Sequence, residues 1–397
     1  MSDTFQPAAL KSLKATVLAP DLSGGGVTRV YLIARVLQAI VGQVEVVGFA
    51  FGSEIYPKPP ATLKVTAIPG APYPKLLRSL PALLKAIDGD IIYAVKPKPT
   101  SYGVALLKQL LNRRPVLLDI DDWELSWLGG DRDRYRPTPK QFLRDILKSD
   151  GALKNPEHRL YLEWMENLVP RANAITVDTQ FLKDRFGGTY LPNGKDTHLF
   201  DPERFDADAI RAKYGLSEYR VLMFPGTARP HKGLEDVLVA LEHLNQPDLR
   251  LVIVGGRKPD NYDDLLLEKW GQWIVRLPTF PTEQMPELVA AAHVVVVPQR
   301  LTETAQAQCP IKLTDGMAMA KPILSTTVGD IPLVLGETGY LVQSSTPMEI
   351  AEQIQWIFDH WEEACDRGQQ ARQRCIQYYS IEAMAAILSA VVESCLN

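Results

Sequence analysis

Cysteine is scarce in this chain of 397 residues: Cys309, Cys365, Cys375 and Cys395 are the only four, all in the final quarter and without metal-ligand spacing. That argues against a disulfide scaffold or a thiolate metal centre and suits reduced thiols in a cytoplasmic protein. No apolar run approaches the ~20 residues that span a bilayer. The opening stretch, MSDTFQPAALKSLKATVLAP, has no long apolar core and does not read as a signal peptide. Low-complexity tracts and short repeats are also missing. The chain is acidic overall, with a net charge of −4, and its basic residues are not interleaved with an aromatic platform. Nucleic acid is therefore not an expected partner.

What is present is an ordinary globular composition, and the length favours two domains. Charge is distributed unevenly. Residues 1–198 hold 26 Lys and Arg against 20 Asp and Glu, whereas residues 199–397 hold 17 against 27. Such a split suggests that the first half faces something acidic, a membrane surface or an anionic substrate; chance surface composition gives the same split.

Short apolar runs alternate with helix-length segments throughout. The first half offers strands at 15–20, 44–50, 63–68, 90–95, 115–120 and 173–178. The second offers 220–224, 249–256, 273–280, 293–298 and 321–326. Their Val, Ile and Leu density suits strands buried on both faces of a parallel sheet. The segments between them, such as 27–40 and 74–87, carry helical spacing. The expectation is α/β: two doubly wound domains in tandem, with a boundary near the turns of 191–210 and an amphipathic tail at 380–397.

Ligands of open α/β sheets bind outside the carboxyl ends of the strands, so the loops there are where chemistry is expected. DLSGGGVTRV follows the first strand with Gly24, Gly25 and Gly26, which let backbone amides approach a phosphate. It lacks both the dinucleotide spacing and the P-loop lysine, and a tight turn fits it too. FPGTARPHKG (224–233) places Arg229, Lys232 and Gly233 between a strand and a helix, suited to a diphosphate or to a solvated basic turn. In QAQCPIKLTDGMAMAKPILSTTVGDIP (306–332), Pro310 opens a helix, Lys312 falls in its first turn and Asp315 about a turn later, where a carboxylate can bind ribose hydroxyls or simply face solvent.

The series PNGKDTHLFDP, GTARPHKG, LVIVGG, FPTEQMPELVAAAHVVVVPQ, PIKLTDGMAMAKPILSTTVGDIP and GETGYLV resembles the group 1, family 4 retaining glycosyltransferases of GT-B fold, in order and spacing, from about 189 to 345. The first half matches only by its glycine loop and its strand–helix order. The resemblance implies two Rossmann-like domains facing a cleft: an acceptor-binding domain at 1–195, a nucleotide-sugar domain at 196–379, and a helix at 380–397 returning to the first. It implies that Lys232 binds the donor diphosphate, that Asp315 contacts the ribose, and that amides near Cys309, Pro310 and Ile311 face the phosphates or sugar. It further implies that Phe280 packs the nucleobase and that Gly24–Gly26 close over the diphosphate. No metal or other cofactor is then needed, because cations take the place of a divalent ion. Two departures stand out: Thr227 replaces a frequent Arg, and Ala307 stands where the first of two spaced acids is expected, with Glu303 near but out of register.

LLDIDDWELSW (117–127) follows another strand. Asp119, Asp121 and Asp122 fit a metal site, the opening of a HAD-type phosphatase with Asp119 as nucleophile, or an acceptor site. In the last reading Asp119 and Trp123 or Trp127 meet the acceptor, and Asp122 is the candidate base. An acidic strand end with buried tryptophans fits as well. Residues 131–160 hold eight Lys and Arg against five acids, and PKLLRSLPALLKAI (74–87) adds cations beside leucines. Such surfaces rest on anionic membranes or are solvated helix faces.

The expected protein is a cytoplasmic retaining glycosyltransferase, peripheral on the inner face of a membrane in one version. It takes a nucleoside-diphosphate-sugar to a sugar or lipid-linked acceptor. Three alternatives remain: a non-catalytic GT-B relative, a phosphatase and a GT-B epimerase.

Overall fold

Each apolar run read as a strand in the first half is one. In the computed structural model, which describes residues 10–24, 26–256 and 261–396, they are β1 (Lys14–Ala19), β2 (Gln43–Ala50), β3 (Lys64–Pro69), β4 (Ile91–Val95), β5 (Val116–Ile120) and β6 (Ala174–Val177). A two-residue strand, β7 (Thr189–Tyr190), completes a sheet of order β3-β2-β1-β4-β5-β6-β7. Every pairing is parallel. β4 and β5 are buried at all positions, as strands covered on both faces must be.

The second half repeats this order. β8 (Arg220–Pro225), β9 (Leu249–Val254), β10 (Ile274–Leu277), β11 (Val294–Val297), β12 (Ile323–Thr326) and β13 (Tyr340–Val342) form a parallel sheet of order β10-β9-β8-β11-β12-β13. β7 and β13 escaped the periodicity reading because so few residues give no period. Along β8, Val221 and Met223 enter one core while Leu222 and Phe224 enter the other, so the sheet is sandwiched between two helical layers. Strand order reverses between β1 and β4 and again between β8 and β11. These switch points are where doubly wound sheets bind ligands.

The chain divides into two units. One extends to Pro192 and takes in the chain from Met384; the other spans Asn193–Ala383. The final helix, Ile381–Leu396, buries Met384, Leu388 and Val392. At the base of the second unit, the amide of Lys195 donates to the carbonyl of Tyr379 (2.7 Å) and the amide of Ile381 to that of Lys195 (3.1 Å), which clips the segment after Pro192 to the segment before Met384.

One helix of the first unit has no buried residue. Pro139–Leu147 is capped by a reciprocal Thr138–Gln141 pair and holds Phe142, Leu143, Ile146 and Leu147 exposed.

Candidate functional site

Beyond β8 the chain turns through Gly226 and Thr227 to Arg229, then makes a tight turn over Pro230–Lys232 before the helix Leu234–Leu244. Gly233 joins turn to helix at φ +68°, and a Cβ there would collide with the carbonyl oxygen of Pro298 at the end of β11. Only glycine tolerates both the conformation and the contact. Gly233→Ala is expected to destabilise the fold by at least about 2 kcal/mol. A urea midpoint equal to that of the wild type would contradict this.

Arg300, just after β11, clamps the same loop. Its amide donates to the carbonyl of His231 (2.9 Å), and its guanidinium donates to both carboxylate oxygens of Asp236 (2.8 and 3.1 Å).

Lys312 reaches this corner from the first turn of the helix Ile311–Ala318, which Pro310 precedes. Its ammonium lies 4.9 Å from the centre of the Phe224 ring, and that of Lys232 lies 5.9 Å from it. The missing side chain of Gly226 makes room: a Cβ there would stand 3.3 Å from Cε of Lys312. Burial, then the charge of Arg229, pulls Lys232 down to about 8. Burial, then the charge of Lys232, holds Lys312 well below the ordinary lysine range, with Asp315 pulling the other way. Burial and the same three cations press His231 down to about 4, so it is neutral at pH 7. These side chains lose proton affinity first because burial disfavours their charged forms and then because positive potential converges on one corner, and an anion there would restore it. The helix start contributes backbone N–H groups that intrahelical bonding leaves unused.

Asp315 lies one turn further along that helix, buried, and pairs with Lys195 of the PNGK segment. Asn193 of the same segment donates to the carbonyl of Cys309 (3.1 Å). Phe280 sits past β10, two strands from β8, edge-on to Tyr214 at 5.9 Å. Ala307 is fully buried, Glu303 starts the short helix Glu303–Gln306, and Thr227 is half-buried. Sequence reasoning singled out neither Lys195 nor Arg300.

In the first unit, Gly24 and Gly26 occupy the loop between β1 and the helix Val27–Ile40, while Gly25 lies outside the described residues. A Cβ on Gly24 or Gly26 would meet its nearest neighbour at 3.5 or 3.6 Å, so packing around the loop leaves room at both.

The acidic cluster departs from expectation. Asp119 is 0% exposed and grips Arg29 in two bonds, Nε to Oδ2 at 2.9 Å and Nη2 to Oδ1 at 3.0 Å, while also accepting from Thr176 (2.7 Å). It is a sealed structural carboxylate, so the readings of Asp119 as an acceptor ligand or phosphatase nucleophile are corrected. Trp123 is corrected too: it is 2% exposed, under Arg185, with its indole N–H on Glu166 (3.0 Å). The accessible indole is Trp127, 50% exposed, whose N–H donates to Asp122 (3.0 Å).

Asp121, Asp122 and Glu124 surround Lys96 at 3.3, 3.6 and 2.7 Å. Burial opposes the Lys96 charge, but these carboxylates outweigh it and hold its pKa well above the ordinary range. Burial raises Asp122 to about 6 against the pull of Lys96, with Glu124 and Asp121 adding to the rise. Lys96 itself sits at φ +67°, a conformation rare for lysine. Among the described residues no group of three His, Cys, Asp or Glu is placed to hold a metal ion.

Comparison with known proteins agrees with this geometry. Residues 219–360 match a family model described as glycosyl transferases group 1. The chain is 24% identical over 234 residues (57% of this chain, 53% of the relative) to an MMP alpha-(1->4)-mannosyltransferase of Mycolicibacterium hassiacum. It is 26% identical over 262 residues (59% and 67%) to a GDP-mannose-dependent alpha-(1-6)-phosphatidylinositol monomannoside mannosyltransferase of Mycolicibacterium smegmatis. It thus spans about half the length of the first relative and two thirds of the second. The fold of Anabaena HepE, solved in complex with UDP and glucose, superposes with a TM-score of 0.72 over 96% of this chain and 100% of that one, at 17% identity. The family match covers the lysine corner, and the GT-B fold is shared along nearly the whole chain.

Proposed function

We propose that this enzyme transfers a hexosyl group from a nucleoside diphosphate sugar to an acceptor hydroxyl, with retention of anomeric configuration and without a divalent ion. The observation that carries this reading is a pair of lysine side chains, half-buried Lys232 and buried Lys312, converging on Phe224 with Arg229 beside them. As the bond from the anomeric carbon to the donor phosphate breaks, negative charge grows on the diphosphate. The two lysines, Arg229 and the helix start after Pro310 stabilise that charge in a site shielded from water. Asp315 binds the ribose hydroxyls, and Phe280 packs the base. Gly24 and Gly26 of the first unit leave room for backbone amides to approach a phosphate. In the first unit, Asp122 beside Trp127 is the acceptor-side base, its raised pKa matched to proton transfer near neutrality.

The acceptor is lipid-linked or a saccharide presented at a membrane, on the cytoplasmic face. Support comes from the M. smegmatis relative, whose name carries a phosphatidylinositol mannoside, and from the exposed apolar helix Pro139–Leu147 flanked by Arg132, Arg134 and Arg136. Among the described residues no helix is long and apolar enough to cross a membrane. The buried Ala307, offering no carboxylate to a sugar ring, favours a second reading in which the protein binds a nucleotide-sugar without transfer.

Incubation with UDP-, GDP- and ADP-hexoses in EDTA, followed by NMR, separates the two. Slow hydrolysis with a retained anomer supports transfer, and tight binding without turnover supports the second reading. The pH profile tests the lysines separately. Below about 8 Lys232 is charged and holds the diphosphate; above it the charge is lost. The donor kcat/KM should therefore fall as pH rises through 8, approaching about tenfold per unit. A flat profile between pH 7 and 9.5 would contradict the assignment.

A further inference from the structure

Beyond the carboxyl ends of β1, β2 and β4, the first unit holds a polar hollow of about 230 Å³. Asp21, Phe51, Thr100, Asn155 and Glu157 line it. A second hollow of about 500 Å³ adjoins it and shares Phe51, Asn155 and Pro156. Both lie at the edge where doubly wound sheets bind ligands. A chain of ion pairs joins the first hollow to the acidic cluster. Glu157 pairs with Lys98 (2.5 Å), Lys98 with Glu124 (3.0 Å), and Glu124 with Lys96, which Asp122 also faces.

Thr100, in the π turn Pro99–Gly103, is 3% exposed, and its hydroxyl bonds to no described residue. A buried hydroxyl without a partner costs about 1–3 kcal/mol, and a ligand hydroxyl in the hollow would recover it. Asp21 is held in place at one oxygen. Its Oδ1 accepts from the amide (2.8 Å) and hydroxyl (2.7 Å) of Ser23 and from the amide of Phe51 (3.3 Å), while its Oδ2 accepts from no described residue. Phe51 supplies the apolar part. Gly70 backs one face of its ring, since a Cβ there would stand 2.9–3.0 Å from three ring atoms, and the ring is still 37% exposed. The charged groups lining the hollow are the carboxylates of Asp21 and Glu157, and no cation lines it. This is the chemistry of a neutral sugar: oxygens that accept from hydroxyls, a hydroxyl that bonds either way, and an aromatic face for the C–H side of a ring. An acidic ring would meet two carboxylates of its own sign. The first hollow is smaller than the ~300–1,000 Å³ of drug-sized sites, which limits it to about one ring, and the second continues it past Phe51.

We infer that the two hollows are adjoining saccharide subsites and that the acceptor is an oligosaccharide of at least two rings, the one beside Asp21 and Glu157 uncharged; the acceptor role rests on the transferase reading above. Phe51 is the platform common to both subsites, and Thr100 bonds a hydroxyl of the ring in the first.

The test is binding of the full-length protein to an array of neutral and acidic mono- and oligosaccharides, with the affinity of each hit measured by titration. The expected result is binding to at least one neutral oligosaccharide, at least about tenfold tighter than to its own monosaccharide. Phe51→Ala should weaken that binding about tenfold by removing the platform. Should that variant not fold, Phe51→Leu keeps the apolar packing on Gly70, lacks the ring face and should weaken binding in the same direction. Thr100→Val should weaken it about threefold or more, with a urea midpoint no lower than that of the wild type, because no bond within the protein is lost. A threonine that only packs would leave saccharide affinity unchanged. Binding to no member of the array, binding to acidic saccharides alone, or a monosaccharide bound as tightly as its oligosaccharide would overturn the proposal. So would an unchanged affinity in the folded Phe51 variant or in Thr100→Val. Nucleoside diphosphate binding, measured in parallel, keeps the two readings apart. Its absence with oligosaccharide binding intact sinks the transferase assignment, and the reverse sinks the subsites alone.

Discussion

Lys232→Ala is expected to lower the donor kcat/KM by about 10²-fold or more while leaving the fold intact. The side chain stands at the end of a tight turn whose path is fixed by Gly233 and Arg300, not by the lysine itself. Its removal therefore takes away charge rather than architecture. The variant carries a second signature. Lys232 is the largest charge holding Lys312 down, so Lys312 should regain proton affinity and the alkaline limb of the pH profile should move upward. A purely structural lysine would give neither the rate loss nor the shift, and near-wild-type activity would remove Lys232 from the mechanism.

Breaking the buried pair of the first unit should have the largest effect on stability. Arg29 is buried with Asp119, and its remaining donors go to the carbonyls of Pro192 (3.0 Å) and Leu191 (2.9 Å). Asp119→Ala leaves a guanidinium without its counter-charge and should cost about 3–5 kcal/mol, seen as a lower urea midpoint. Arg29→Met alone should be comparably harmful, because it strands the carboxylate. The double change Arg29→Met/Asp119→Leu should recover much of the loss, since apolar replacements satisfy a buried site where a lone charge does not. An acceptor-binding Asp119 would behave otherwise, with activity lost at unchanged stability.

Sequence reading reached every strand of both sheets except β7 and β13, because buried parallel strands are continuous apolar runs, and such runs need no partner to be seen. It reached Lys232, Gly233, Lys312 and Asp315 because each sits within a few residues of a strand end or helix start, so local spacing carries the signal. Arg29 and Asp119 lie 90 residues apart, and nothing near either announces the other. Lys195 with Asp315 and Arg300 with Asp236 are hidden the same way, since tertiary pairing has no period. Trp123 and Trp127 differ by one helical turn. Aromatic content alone does not say which is sealed, whereas Arg185 and Glu166, brought in from other elements, do.

The most direct test of the lysine corner is calorimetric titration of the protein with UDP, GDP and ADP at pH 8 in EDTA, repeated in buffers of different ionisation enthalpy. A diphosphate between Lys232 and Lys312 raises both pKa values, so the account predicts micromolar binding of at least one nucleotide with net proton uptake. That uptake should shrink in Lys232→Ala. Absence of binding by all three, or binding with no proton uptake, would contradict it.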